Sequence, residues 1–407
     1  MNKPVLLIIL MAIFTACNTS KQQQTITSTG DLPSVETKAP NSPQYKAAYM
    51  GQTRIGGIKT KTLLEVSILT DKLVRPWAVV SMPDGRFLIT EKRGTFRIAT
   101  NMGKITEPIN GALPVDDAGQ GGLLDVALDP DFKNNRMIYW AFSEPVDGGN
   151  HTAVAKGRLA NDERTIENAK VIYRAIPTFK GRLHYGSRLA FDENGYLYVS
   201  TGERSDLATR PKAQELSAAL GKILRITKDG SPAPGNPFIN TSGALPEIWS
   251  YGHRTPQGLV FHPVTGELWE SEMGPRGGDE INLIKAGKNY GWPIITYGIE
   301  YSGKTIGDGI TQKQGMEQPV YYWDPVQSPS GITFYSKGLI TEWDNNLFVG
   351  GLSSKHIARL MINNNKIVGE ERLLEDQNQR FRDVEQGKDG ALYAVTDEGR
   401  LYRISSK

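Results

Sequence analysis

The chain has 407 residues, 39% hydrophobic and 22% charged, with 47 Lys and Arg against 44 Asp and Glu and a formal net charge of +3. That near-balance creates no long-range field to gather nucleic acid or an anionic membrane surface, which turns the reading toward a small-molecule partner. A single cysteine excludes an internal disulfide, so stability must come from the core, hydrogen bonds and any bound metal.

The chain opens with Met1-Asn2-Lys3 and the apolar run PVLLIILMAIFTA, too brief to span a bilayer comfortably. This is the pattern of an export signal. Cys17 follows Phe14-Thr15-Ala16, which resembles the box at which bacterial lipoprotein signals are cleaved and the new N-terminal cysteine is lipidated, with Phe14 in place of the usual leucine. Residues 1–16 are therefore expected to be removed, and Cys17 to tether an exported protein to a membrane. Residues 17–57, rich in Ser, Thr, Gln, Lys and Pro, are expected to form a flexible linker, with one domain over 58–407.

Within that domain one pattern recurs: a turn containing Asp, Asn or Gly, a short alternating apolar strand, then a polar or Gly-rich segment. Six instances begin at Pro83, Asp131, Asp192, Thr265, Trp343 and Lys388. Such strands argue for an all-β fold rather than alternating βαβ units. Their spacing, roughly 45–80 residues, is that of propeller blades with inserted loops. A six-bladed β-propeller is predicted, with two stacked β-sandwiches as the competing arrangement. AQELSAALGKIL, near Ala213, is a helical candidate between blades.

Chemistry concentrates between Glu247 and Pro293. Gly274, Gly277 and Gly278 around Pro275 can turn main-chain carbonyls toward an ion, and Asp279 and Glu280 carry the hard oxygens that calcium prefers. A sharp turn with a solvated acidic pair fits that string equally well. Histidine and cysteine offer no zinc constellation.

Seven strings, RPWAVVSMPDGRFLITEKRG, GQGGLLDVALDPDFKNN, RLHYGSRLAFDENGYLYVSTGE, GHRTPQGLVFHP, GPRGGDEINLI, KNYGWP and RFRDVEQGKDGALY, run in order from about Leu73 to Ile404. In them the chain resembles the soluble pyrroloquinoline-quinone-dependent sugar dehydrogenases, six-bladed propellers that use calcium. The resemblance implies a quinoprotein that oxidises the anomeric carbon of an aldose to a lactone and passes electrons to an unidentified acceptor. It implies His184 as general base, a role suited to an imidazole titrating near neutrality. Glu203 would orient that imidazole, and Arg254 would stabilise charge developing on the quinone oxygen.

The cofactor carries three carboxylates, for which the resemblance offers Arg380, Arg382 and Lys355, with Gln120 at the channel mouth and Thr255 beside Arg254. Thr255 stands where glucose-oxidising relatives often carry Asn. The carbonyls of Gly274 and Pro275 would hold the calcium that grips the quinone, and Glu280 with the Tyr290 carbonyl a second calcium. Met273 stands where relatives carry Gln or His. Two other classes stay open: a calcium-dependent propeller lactonase or esterase, and a non-catalytic surface-binding propeller. Retained Arg380, Arg382 and Lys355 count against the first, because a neutral ester needs no trio of cations.

Overall fold

Turn chemistry and strand alternation cooperate in each repeat. At the first, Gly85 has φ 83° and its N–H donates to Met82 O at 3.0 Å, folding Pro76–Ser81 back against Phe87–Glu91. Gly195, at φ 79°, does the same between Gly186–Phe191 and Leu197–Thr201. Both angles lie in the left-handed region that glycine enters without strain. The second strand of five repeats, exemplified by Phe87–Glu91 and Leu392–Thr396, is buried at every residue because neighbouring sheets cover both its faces.

The computed structural model describes Met1 and residues 32–407; the rest of the export signal and Cys17 lie outside the described residues. Six sheets form the blades, beginning with Pro76–Ser81, Leu123–Leu128, Gly186–Phe191, Pro256–Phe261, Pro329–Phe334 and Phe381–Gln386, and their pairings are antiparallel except where Gly57 adds in parallel to Glu370 of the fifth. These inner strands touch one another in cyclic order, the last returning to the first. The chain is therefore a six-bladed β-propeller. Leu64–Thr70 pairs with Leu401–Ser406, so an early strand completes the last blade and locks the ring.

The core is divided into wedges between blades. Trp77 and Phe96 of the first blade pack with Trp140 and Phe142 of the second, and Trp269 of the fourth packs with Leu347 of the fifth. A two-sheet sandwich would instead gather these residues into one layer.

Two expectations need correction. The flexible linker does not extend through residues 32–57, which strap across the fourth and fifth blades. Asn41 and Ser42 donate N–H bonds to the Asp324 carboxylate at 2.7 and 3.0 Å, Arg54 reaches Asp324 O at 2.7 Å, and Gln52 is fully buried. Polar bonds, with Ile55 packed against the core of those blades, hold a segment poor in large apolar residues. The helix expected at Ala213 is only a 3-10 turn over Arg210–Ala213. Gly221, at φ 68°, interrupts the helical pattern, and Lys222–Ile226 becomes the third strand of its blade.

Candidate active site

Loops at one end of the axis enclose a cavity of about 460 Å³. Every blade contributes at or beside the start of its inner strand: Pro76, Leu124, Gly186, Gln257, Ser328 and Arg382 line it. Arg75 and Ser328 hold left-handed φ values of 50° and 47°. Backbone strain of this kind persists where the surrounding fold enforces it, and it concentrates at functional sites.

The charges in the cavity are unequal. Arg75, Lys92, Arg380 and Arg382 face one carboxylate, Asp397. Arg380 and Arg382 flank the fully buried Phe381, so strand alternation turns both toward the cavity. Each donates its Nε–H to Asp397 at 2.8 Å. Burial opposes ionisation of Asp397, yet Arg382 and Arg380 pull its carboxyl below the usual range. Lys92 Nζ is tethered to the carbonyls of Asp117 and Gly119 at 3.0 and 2.6 Å. Burial, then the charge of Arg75, lowers its pKa.

His184 lies beside this cavity, between residues that line it. Its N–H donates to Gln120 Oε1 at 2.7 Å, and the next residues, Tyr185 and Gly186, form part of the wall. The residue is held at φ 46°, and its carbonyl lies so close to Gly202 that a Cβ there would come within 2.1 Å. Nδ1 is 2.6 Å from Glu203 Oε1. Donation from Nδ1–H to that carboxylate leaves the Nε2 lone pair outward, with no hydrogen bond to it among the described residues. Burial, then the charge of Arg254, lowers the His184 pKa from 6.5 to about 4, against the pull of Glu203. The ring is neutral at neutral pH and able to accept a proton.

A second, much smaller cavity adjoins the first through a shared wall at Met273 and is lined by Arg254, Gly274, Glu280 and Tyr290. Arg254 is anchored by its own backbone: its N–H donates to Glu272 Oε2 at 2.6 Å and its carbonyl accepts from Glu203 N at 2.9 Å. Its guanidinium donates to Met273 O and Gly274 O at 2.9 and 2.7 Å. The Gly274 carbonyl is thus engaged by a cation, and calcium at that oxygen would have to share it with the guanidinium or displace it.

Asp279 serves backbone donors in this structure. Its carboxylate accepts N–H bonds from Gly274, Gln327 and Ser328 at 2.9, 2.7 and 2.7 Å, fixing two loops of the site. Burial raises its pKa to about 6 against those three donors. Glu280 is raised well above the usual range, by burial first and the charge of Glu272 second.

The large cavity gathers Gln120, Arg380 and Arg382, while the small one gathers Arg254, Gly274, Glu280 and Tyr290. Lys355 lines neither; its Nζ donates to Asn378 at 3.0 Å, although Leu352 and Ser353 just before it reach the large cavity. Thr255 is buried and accepts from the cavity residue Gln257 at 3.2 Å, without lining the space itself. Pro275 also stands outside both linings.

A family model described as Glucose / Sorbosone dehydrogenase matches residues 73–403. The chain belongs to this family. It is 42% identical over 349 residues to the aldose sugar dehydrogenase YliI of Escherichia coli K12, covering 84% of this chain and 93% of that one. The apo crystal structure of the soluble aldose sugar dehydrogenase of E. coli superposes with a TM-score of 0.80, covering 84% of this chain and 100% of that chain at 42% identity. The PQQ-bound aldose sugar dehydrogenase of Streptomyces coelicolor gives 0.70 at 29% identity, over 86% of this chain and 100% of that one.

In this member of the glucose/sorbosone dehydrogenase family, sequence reading passed over Arg75, Lys92 and Asp397. Arg75 and Lys92 bound the first repeat, in RPW and EKRG, and Asp397 sits in the last hairpin turn. Each reads locally as a solvated turn residue. Only ring closure brings the two ends of the domain into one cavity.

Proposed function

We propose that this protein oxidises aldoses at the anomeric carbon to lactones, with pyrroloquinoline quinone as the hydride acceptor. The cation excess of the large cavity carries the reading. Four cationic side chains against one carboxylate leave three positive charges for a ligand, which suits a tricarboxylate. A cavity of about 460 Å³ has the size of a small-molecule site.

When bound, the quinone supplies the two-electron chemistry by taking hydride from carbon 1. Arg380 and Arg382, preset by Asp397, would grip its carboxylates. His184 Nε2 would take the anomeric hydroxyl proton while Glu203 holds Nδ1–H and balances the imidazolium that forms. Arg254, buried and permanently charged, would stabilise negative charge developing across the shared wall. Calcium belongs to the same reading, with Glu280 and the Tyr290 carbonyl as holders of a structural ion. Binding at Gly274 and Pro275 would share the Gly274 oxygen with the Arg254 guanidinium or displace it. Export, lipidation at Cys17 and delivery of electrons to a separate acceptor complete the proposal.

The test is reconstitution of the full chain with the quinone and calcium, followed by an aldose panel with an artificial electron acceptor. Quinone uptake with sugar-dependent dye reduction is expected. Uptake without reduction by any aldose would remove the reaction, and no uptake would remove the cofactor.

A further inference from the structure

Strand register on the fourth blade gathers polar side chains on one buried face. Glu270 pairs with Asn282 and Glu272 with Glu280 across Leu268–Glu272 and Asp279–Ile284, and two-residue alternation sends all four side chains to the same side. Like charges set directly opposite in a sheet repel. The Asn282 amide serves three carboxylates at once: Nδ2 lies 3.1 Å from Glu270 Oε2, 3.3 Å from Glu272 Oε1 and 3.2 Å from Glu280 Oε2. An amide nitrogen has two hydrogens, so these oxygens are not all satisfied. Glu270 Oε1 and Asn282 Oδ1 are buried with no hydrogen-bond partner.

His253, fully buried in the connection entering this blade, closes the group. Its Nε2 lies 2.9 Å from Ser250 Oγ, and its ring stacks on Tyr290 at 4.7 Å between centroids. Nδ1 is 3.5 Å from Glu272 Oε1 and has no hydrogen-bond partner. Ligand atoms of His253, Glu270 and Glu272 all lie within 4.8 Å of one another.

We propose that His253, Glu270 and Glu272 bind one first-row divalent transition cation, at a site separate from the calcium assigned to Glu280 and Tyr290. Ligand atoms about 2.0–2.2 Å from a metal sit roughly 3.0–3.5 Å apart at 90–109°, a separation His253 Nδ1 and Glu272 Oε1 already have at 3.5 Å, and Glu270, within 4.8 Å of both, would close on the ion as it binds. Donation from Nε2–H to Ser250 would free the Nδ1 lone pair, the arrangement in which an outer partner fixes the tautomer of a metal-bound histidine. An imidazole beside two carboxylates selects zinc or manganese over calcium, which prefers an all-oxygen shell. A proton shared among the carboxyls would reduce the charge, yet it would leave Asn282 Oδ1 and His253 Nδ1 unpartnered. The cation supplies both the charge and a ligand partner for Nδ1.

This inference does not depend on the dehydrogenase reading, and its test contains neither quinone nor sugar. The full chain is produced in medium supplemented with Zn²⁺, Mn²⁺ or Ca²⁺, desalted, and its metal content counted by plasma mass spectrometry. About one equivalent of Zn²⁺ or Mn²⁺ is expected in the wild type and in Glu280→Gln, with at least a tenfold loss in Glu270→Gln. Equal transition-metal content in wild type and Glu270→Gln, calcium as the sole ion retained, or an empty wild type would overturn the site. Loss of the ion from both variants would merge it with the calcium position and overturn its separateness. Glu270→Leu guards against a folding artefact: in chelator it is expected to melt above the wild type, having lost an uncompensated buried carboxylate. With Zn²⁺ or Mn²⁺ the order reverses, and an unchanged order would also count against the proposal.

Discussion

Two cavities of similar size lie along the propeller axis, about 460 Å³ at the loop end and about 410 Å³ deeper in the channel, yet their charges are arranged in opposite ways. In the channel, Arg188 is held by Asp125 and Asp383, each at 3.1 Å, gives its Nε–H to Gln257 O at 2.6 Å and lies 4.2 Å from the centre of the Trp77 ring. Burial raises the pKa of the other channel carboxyl, Glu385, to about 8, so it is mostly neutral at pH 7. The channel satisfies its own cation. The loop cavity, with four cations against one carboxylate, does not. Volume alone would rank the two together; unbalanced charge separates a binding site from a structural plug.

The largest effect should come from His184, the residue beside the loop cavity to which the proposed reaction assigns proton transfer. His184→Ala is expected to lower kcat about 10²- to 10⁴-fold while quinone binding, read by fluorescence titration, survives. Turnover within tenfold of wild type would remove the histidine from proton transfer. Next in size is Arg188→Met, which strands two buried aspartates. It should lower stability by about 3–5 kcal/mol in urea unfolding. An Arg188 variant of unchanged stability but greatly weakened quinone affinity would erase the contrast between plug and site.

Arg382→Ala tests the opposite expectation for the loop cavity, where charge is kept for a ligand. Loss of one charge-assisted contact should weaken the quinone by about 1.5–3 kcal/mol, roughly tenfold to a hundredfold in Kd, with little change in unfolding. A smaller, pH-dependent effect follows from the depressed pKa of His184. Its folded value of about 4 lies below the ordinary 6.5, so the unfolded chain binds more protons between those limits. This histidine therefore opposes folding increasingly as pH falls from 6.5 toward 4, and its contribution levels off below that. If His184 is the base proposed above, it stays unprotonated through most of this window, and the acid limb of kcat/KM is expected near pH 4. An inflection at the ordinary histidine value would show that His184 is more solvated, or less coupled to Arg254, than the geometry indicates.

Much of this architecture was legible because local signals repeat. Turns carrying Asp, Asn or Gly followed by strands such as FLITE and LYVST recur six times, three of them with an Asp-Gly or Asn-Gly pair, and that repetition leaves little choice of fold. The His184–Glu203 pair could be anticipated only through resemblance, since 19 residues and a blade hairpin separate the partners. Asp397 shows the opposite limit. Its task of presetting Arg380 and Arg382 arises from a hairpin turn brought over the axis, and nothing in TDEG distinguishes it from an exposed turn. Residues 32–57 misled for a related reason: composition reports how much apolar surface a segment can bury, but says nothing of a distant carboxylate waiting for its amides.

That strap supplies the gentlest challenge to the comparison, because it grips the molecule away from both axial cavities. Asp324 accepts from Asn41 and Ser42, and Asn41 Oδ1 accepts in turn from Arg276 Nε at 3.2 Å, tying the strap to the loop between Gly274 and Gly278. Asp324→Ala removes two charge-assisted amide bonds and should cost about 1–3 kcal/mol, with early proteolytic cleavage between residues 35 and 55. If the strap serves only stability, quinone affinity will change less than about threefold, well under 1 kcal/mol. A larger loss would mean that the Gly274 loop needs the strap to hold its shape. The cation-rich cavity would then depend on a polar segment outside the blades as well as on the ring that encloses it.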